Sequence, residues 1–353
     1  MPRAIENATI LVTGGAGFIG SHTVGALLER GARVVNLDAL TYVSEYADRS
    51  PASSTASYHF VRGDIGDKSL VSDLLERFRP AVVLNLAAET HVDRSIDDGQ
   101  LFVKTNIVGL NSLLQTSLQY WKRARPDNFC FVQMSTDEVF GSITAGIATE
   151  ESVFAPNSPY AATKAAGDHL VRAFNSTYDL PTMIVRSTNA YGPRQYPEKF
   201  IPHMISTGRR SLDMPLYGDG TNVRDWLFVK DLADGIVLAL EKGRTPEAYN
   251  FSALDEHTNL DVVRRVCQHL DRLYPLAAPH ARHIKFVADR PGHDVRYALS
   301  SAKARQELGW QRKTNFEAGL AATVDWYSRN PDWTERILLA GYSLRRLGLP
   351  TAI

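Results

Sequence analysis

Short apolar, β-branched runs alternate with helically spaced segments through the N-terminal half of the chain. The runs are Ala8–Val12, Arg33–Leu37, Tyr58–Val61, Ala81–Leu86, Phe129–Met134 and Met183–Arg186. Between them, Ser21–Arg30 (closed by Gly31), Asn106–Tyr120 and Tyr160–Tyr178 repeat apolar positions at the spacing of one helix face. A strand that is apolar on both faces must be covered on both, and a helix between strands supplies the crossover that parallel pairing requires. The pattern predicts an α/β chain with a doubly wound parallel sheet.

Past Arg186 the character changes. Pieces rich in Pro, Gly and Tyr (Tyr191–Pro202, Pro215–Asp231, Tyr249–Ser252, Ile284–Arg290) are separated by helical patterns at Leu232–Glu241, Leu260–Leu273, Ser301–Leu308 and Phe316–Arg329. Residues 1–186 are therefore expected to form the sheet domain. Residues 187–353 are expected to form mainly a smaller binding lobe over the sheet's carboxyl edge, with segments returning to the first domain.

Composition narrows the classes. Lys plus Arg number 39 and Asp plus Glu 39, a balance that argues against nucleic-acid or membrane-surface binding, so an anionic ligand must be held by local cations. No stretch approaches ~18 uninterrupted apolar residues, and the opening MPRAIENATI has no apolar leader core, so a cytoplasmic location is expected. Cys130 and Cys267 are the only cysteines, and His91, His203 and His293 are dispersed; no metal site is expected.

The first apolar run breaks into Thr13-Gly14-Gly15-Ala16-Gly17-Phe18-Ile19-Gly20 and a helix. A strand, a glycine turn and a helix let backbone N–H groups approach a pyrophosphate at the positive helix end, the arrangement of a Rossmann-like domain. Asp38 closes the second strand near the ~20-residue offset at which an acid binds a ribose 2′-hydroxyl. A carboxylate there repels a 2′-phosphate, and Ala39 offers no charge, which favours NAD over NADP. A purely structural glycine turn is the competing reading.

Three further groups carry candidate chemistry. Tyr160 and Lys164 are four apart in a helical segment and share a face; an ammonium beside a phenol favours the phenolate, making Tyr160 a candidate base near neutrality. The alternative is a packed Tyr beside a solvated Lys. Ser135-Thr136-Asp137-Glu138 ends the fifth run, where doubly wound proteins place active sites. Adjacent carboxyls whose pKa values are pushed apart serve as acid and base, unless they form only a solvated acidic turn. Arg194, Lys199, Arg224, Arg290 and His293 make up a scatter of cations and planar groups in the C-terminal part suited to phosphate oxygens, or a set of ordinary surface charges.

These residues resemble the extended short-chain dehydrogenase/reductase superfamily, and within it the dTDP-glucose 4,6-dehydratases, from about Thr9 to Trp326. The likeness rests on TGGAGFIG (13–20), LDALTY (37–42), GDI (63–65), LAAETHVDRSI (86–96), TNIVG (105–109), STDEVFG (135–141), SPYAATKAAGDHLV (158–171), YGPRQYPEKFIP (191–202), YGDGTNVRDW (217–226) and DRPGHDVRY (289–297). The resemblance implies an NAD-dependent hydro-lyase, a deoxysugar-forming enzyme that acts on a nucleoside-diphosphate glucose, with dTDP-glucose the foremost substrate. Tyr160, Lys164 and Thr136 would serve the oxidation at C4, Glu138 would take the C5 proton, and Asp137 would protonate the departing C6 hydroxyl.

The same resemblance implies that Gly14, Gly17, Phe18, Ile19, Gly20, Asp38, Leu40 and Thr41 touch NAD. Asp64, Ile65, Leu86, Ala87, Ala88, Thr105, Tyr160 and Lys164 would complete the cofactor set. Thr90, Thr136, Asn189, Lys199, Phe200 and Pro215 would meet the sugar nucleotide, with Tyr217, Arg224, Asn259, Arg290 and His293. The helices Asn106–Tyr120 and Tyr160–Tyr178 resemble the family's homodimer face, for which an antiparallel four-helix packing is expected; burial of their apolar residues in the core is the competing reading.

Departures from the family pattern are Ala190 after Asn189, which removes a polar cofactor contact, Val43-Ser44-Glu45 beside the adenosine half, and Thr90 in place of Ser. Readings that stay open are a UDP-glucose 4,6-dehydratase, a sugar-nucleotide epimerase or decarboxylase that needs no Asp137 acid, and an NAD-sensing protein without catalysis.

Overall fold

The computed structural model describes residues 3–41, 56–339 and 342; the Val43-Ser44-Glu45 departure lies outside them. Among the described residues, β1 (Thr9–Thr13), α1 (Phe18–Glu29), β2 (Arg33–Asp38), β3 (Tyr58–Arg62), α2 (Lys68–Phe78) and β4 (Val82–Asn85) come first. Next are α3 (Val92–Asp97), α4 (Gln100–Val103), α5 (Leu110–Ala124), β5 (Cys130–Thr136), α6 (Pro159–Tyr178), β6 (Thr182–Ser187) and β7 (Asn189–Tyr191). The remainder comprises α7 (Phe200–Gly208), β8 (Met214–Tyr217), β9 (Val223–Phe228), α8 (Val229–Lys242), β10 (Glu247–Phe251), β11 (Glu256–Thr258), α9 (Asn259–Leu273), β12 (Ile284–Val287), α10 (Phe316–Arg329) and α11 (Pro331–Leu339).

Seven parallel strands lie in the order β10-β6-β5-β4-β1-β2-β3. The order reverses between β1 and β4, which leaves a crevice at their carboxyl ends where ligands of doubly wound proteins sit. The sheet's two faces bury separate clusters. Ile10, Val12, Leu84, Val132 and Val185 pack with α1 and α8, while Leu11, Val83, Phe131 and Ile184 pack with α2, α5 and α6. Alternate strand residues point to opposite faces, so both sets must be apolar, as the continuous runs predict.

Two small sheets, β11-β9-β7 and β12-β8, frame the crevice from the C-terminal side. They pack with α7, α9 and α10 on a cluster containing Tyr191, Trp226, Val263, Leu270 and Tyr327. The chain beyond residue 187 does not stay there. β10 pairs with β6 at the edge of the main sheet, and Leu232, Ile236 and Leu240 of α8 enter the main core.

Several boundaries differ from the pattern. The predicted helix 106–120 is shifted: Lys104–Gly109 forms a wide π turn, and α5 starts only at Leu110. Ala304–Leu308 is likewise a π turn. Periodicity cannot distinguish i→i+4 from i→i+5 bonding over one turn. α1 begins at Phe18, ahead of the expected Ser21, because a glycine turn needs no capping side chain. Elsewhere capping does set the start: Ser158 accepts from Ala161 N (3.1 Å) with Pro159 at the first helical position, placing Tyr160 and Lys164 in the first turns of α6.

Candidate active site

The glycine turn is shaped for a close ligand. Gly14 has φ +70°, and a Cβ there would meet Ala87 N at 2.6 Å; one on Gly20 would lie 2.1 Å from Gly14 O. The cap residue Gly17 puts no side chain on the first-turn N–H groups of α1, and no acid lies in that turn. That helix end is open to a pyrophosphate. Asp38 is held in place by the turn, Oδ2 accepting from Ala16 N (2.9 Å) and Oδ1 from Leu40 N (2.8 Å). These features fit a dinucleotide.

A cavity of about 300 Å³ runs from Gly14 to Lys199 along the sheet's carboxyl edge. It is lined by every residue assigned to the cofactor except Leu40. Leu40 is buried in a left-handed conformation (φ +50°), so its backbone serves Asp38 while its side chain lies outside the cavity wall. Ala190 lines the cavity too, and its carbonyl accepts from Gln195 Nε2 (2.9 Å).

A second cavity of about 220 Å³ adjoins the first, and Thr90, Glu138, Asn189 and Lys199 line both. Its wall brings together Phe200, Pro215, Tyr217, Arg224, Asn259, Arg290 and His293 from five separate stretches of chain. Arg194 is not part of either wall; its charge acts on His22. Lys199 donates to Thr90 O (2.7 Å), and Arg224 to Asp294 O (2.8 Å) with its guanidinium 4.3 Å over the Tyr297 ring. Arg290 lies 3.6 Å from Asp93 Oδ1, and its buried Nε has no partner among the described residues. Together these form a cationic patch inside a chain of zero net charge.

Between the cavities stands the carboxylate pair. β5 carries Thr136 to the edge, where one 3₁₀ turn presents Asp137 and Glu138. Asp137 is 5% exposed; Oδ1 accepts from Thr136 Oγ1 (3.1 Å), and Oδ2 has no partner among the described residues. Burial first, and then the charge of Glu138, hold its pKa well above the usual carboxylate range. Burial also raises Glu138, but Arg290, Arg224 and Lys199 pull it back. The environments thus push two adjacent carboxyls apart, the pattern of an acid beside a base.

The expectation for Tyr160 needs correction. Burial raises its pKa, with Glu138 adding to the effect and a hydrogen bond from Thr136 opposing it. Lys164 does not supply the expected relief, because its Nζ donates to Met134 O at 2.6 Å and its own pKa is lowered by burial to about 8. The shared helix face is real, but the ammonium is tied to the β5 backbone.

The sequence reading missed Tyr297, His91, Asp93, Glu198 and His203, all on the second cavity. Tyr297 ends the quoted 289–297 motif, so a signal existed. The others lie in the 86–96 and 191–202 motifs or just beyond them but have no spacing that marks a site. Among the described residues, no cluster of His, Cys, Asp and Glu is placed to hold a metal.

Comparison with known proteins places this geometry. The GDP-mannose 4,6 dehydratase family matches residues 11–323. The dTDP-glucose 4,6-dehydratase of Xanthomonas campestris pv. campestris (strain B100) is 48% identical over 347 residues, covering 97% of this chain and 99% of that protein. That of Salmonella typhimurium (strain LT2) is 42% identical over 94% of this chain and 96% of its own. The crystal structure of DesIV, a dTDP-glucose 4,6-dehydratase from Streptomyces venezuelae with NAD and TYD bound, superposes with a TM-score of 0.86 at 41% identity, covering 93% of this chain and 99% of that one. The Thermus thermophilus UDP-glucose 4-epimerase in complex with NAD gives 0.80 at 32% identity, over 91% and 99%. Likeness of that extent, closer to the dehydratase than to the epimerase, makes this chain a member of the dTDP-glucose 4,6-dehydratase family.

Proposed function

We propose that the protein converts dTDP-glucose to the 4-keto-6-deoxy sugar nucleotide with NAD as a recycled cofactor. The observation that carries the reading is Asp137: a buried carboxyl with a raised pKa and one oxygen without a partner among the described residues, adjoining a second carboxyl and sharing Thr136 as a hydrogen-bond neighbour with Tyr160. An epimerase needs no such acid.

The first cavity would hold NAD, with the α1 N-terminus available to its pyrophosphate and Asp38 to a ribose. When bound, NAD supplies the reversible two-electron acceptor that a redox-neutral rearrangement needs, and a positive ring that favours the Tyr160 phenolate. Tyr160 takes the proton of the sugar 4-hydroxyl while Thr136 orients O4. The resulting ketone acidifies the C5 proton, which Glu138 removes. Asp137, neutral because it is buried, protonates the departing C6 hydroxyl, and water leaves. Glu138 then returns a proton to C5 as C6 is reduced. The diphosphate lies against Arg224, Arg290, Lys199 and His293, and the base toward Phe200, Pro215, Tyr217 and Asn259. The dTDP-glucose dehydratase relatives and the TYD-bound DesIV structure support the choice of nucleotide.

The protein acts as a homodimer in this reading. Exposed Val103 and Val108 line an apolar groove between the π turn and the start of α6, together with Gly99, Ile107, Pro159 and Ala162. No helix of the described residues is long and apolar enough to cross a membrane, in keeping with a cytoplasmic enzyme.

The test is mass spectrometry of dTDP-glucose, UDP-glucose and UDP-glucuronate incubated with the protein and NAD. Loss of one water, fastest from dTDP-glucose, is expected. Faster loss from UDP-glucose reassigns the nucleotide. Unchanged mass with a new retention time, or loss of carbon dioxide, replaces the dehydratase reading by epimerase or decarboxylase.

A further inference from the structure

Three polar side chains stand in one row across β1, β4 and β5, directly after stretches that are wholly apolar. Thr13 on β1, Asn85 on β4 and Gln133 on β5 are register partners, Thr13 opposite Asn85 and Asn85 opposite Gln133. Their exposures are 0%, 1% and 3%. The residues before them (Ile10–Val12, Val82–Leu84, Cys130–Val132) are all buried and apolar. Buried polar groups persist only when they are satisfied, and each of these is. Thr13 Oγ1 donates to Asn85 Oδ1 (2.5 Å), Asn85 Nδ2 to Gln133 Oε1 (2.7 Å), and Gln133 Nε2 to the Met134 carbonyl (2.9 Å).

The row has a direction. A carbonyl only accepts, so the Met134 end sets the Gln133 amide, which sets the Asn85 amide, which sets the Thr13 hydroxyl. The same Met134 oxygen accepts from Lys164 Nζ. The β4–β5 ladder stops at Asn85 and Gln133, while β5 continues to pair with β6 as far as Thr136. Beyond Gln133 the backbone on the β4 side is therefore held by side chains.

We propose that the Thr13–Asn85–Gln133 row is a positioning device: by fixing the Met134 carbonyl it sets where the Lys164 ammonium stands in the cofactor cavity, one turn of helix from Tyr160. Lys164 sits on a flexible four-carbon stem with rotatable donors and does not fix its own place. The amide of Gln133 holds the acceptor; Asn85 and Thr13 hold the amide. The inference rests on the reading of Tyr160 and Lys164 as the reacting pair.

The experiment removes the row as a unit. The triple variant Thr13→Val/Asn85→Leu/Gln133→Met leaves no orphaned amide, and replacing both partners of a buried bond by apolar groups is close to neutral for folding. Three results are expected: NAD binding measured by calorimetry without sugar nucleotide is weakened ~10-fold, kcat on dTDP-glucose falls ~10-fold or more, and the acid limb of the kcat–pH profile moves to higher pH. The KM for dTDP-glucose stays within ~2-fold of the parent, since the second cavity is untouched. Unchanged NAD affinity overturns the proposal, and so does a kcat loss with an unmoved acid limb, which marks a merely structural row. If the triple variant does not fold, Gln133→Met alone is read by the same two criteria. A parent that binds NAD but releases no water from dTDP-glucose overturns the functional reading, while the NAD affinity of the variant still decides the row.

Discussion

The Tyr297 hydroxyl donates to Asp294 Oδ2 at 2.7 Å and stands 3.4 Å from Glu138 Oε2. One phenolic proton cannot serve both carboxylates, and the shorter bond claims it. Glu138 therefore completes its bond to Tyr297 best as the protonated acid, the state it would occupy after taking the C5 proton in the proposed mechanism. Removing the hydroxyl by Tyr297→Phe is expected to slow exchange of the C5 proton with solvent deuterium by ~10-fold. C4 oxidation, followed by the absorbance of reduced cofactor, stays near the parent rate. Equal loss in both steps contradicts this role.

Asp137 is proposed for the opposite task, and its geometry sets a separate prediction. Asp137→Asn keeps the shape but has no acidic proton for the departing hydroxyl. Water loss is expected to fall ~10²- to 10⁴-fold while C4 oxidation survives, so reduced cofactor and the 4-keto sugar accumulate. Full dehydration by the variant excludes Asp137 as the acid. With Asp137 acting as the protonated acid, as proposed, the parent's dehydration rate is expected to decline as pH rises through the raised Asp137 pKa.

Acid stability follows from a buried histidine. Burial lowers His203 from 6.5 to about 4. Between these values the unfolded chain binds the proton and the native one does not, so the contribution to stability is full below about 4 in its destabilising sense and absent above 6.5. His203→Gln removes this linkage. In urea titrations, the stability of the parent relative to the variant is expected to fall between about pH 7 and pH 4; a constant difference refutes it.

Lys164 has a second neighbour in Asp168, one turn along α6, whose charge raises the lysine pKa. Asp168 is itself paired with Arg186 at 2.9 Å, both nearly inaccessible, and the Arg186 guanidinium lies against the Phe140 and Phe154 rings. Breaking such a pair leaves an uncompensated buried charge. Asp168→Asn is expected to lower stability by ~3–5 kcal/mol in denaturant titrations. It also lowers the Lys164 pKa further, visible as a shifted pH–rate profile in the surviving folded enzyme.

Gly20→Ala adds a methyl 2.1 Å from Gly14 O, a backbone atom that cannot turn aside. The turn must open, and NAD affinity is expected to drop at least ~10-fold, ~1.4 kcal/mol, by calorimetry. Gly25→Ala, which meets nothing within 4 Å on the same helix, is the control expected to leave affinity unchanged.

Much of this molecule is legible along the chain because its sheet is parallel and buried. Strands covered on both faces are largely apolar, so six of the seven main strands stand out as runs, and the seventh, β10, stands out as Tyr249–Ser252 without its partner. The glycine turn and Asp38 are equally visible, since backbone approach to a ligand dictates residue type at fixed spacing. The Thr136-Asp137-Glu138 run and the Tyr160/Lys164 pair are local too, each lying within a single turn or strand end.

What the chain alone does not carry is which side chains meet across distance. Only the tertiary structure ties Lys164 to Met134 O rather than to the phenol, buries Asp137 so that its pKa is raised, and sets Tyr297 against Glu138. It also turns three polar residues on separate strands into one row, because register pairs Thr13 with Asn85 and Asn85 with Gln133. Spacing records the period of a helix or strand. Burial and hydrogen-bond direction depend on neighbours that the fold brings from elsewhere, and these decide the protonation states on which the chemistry turns.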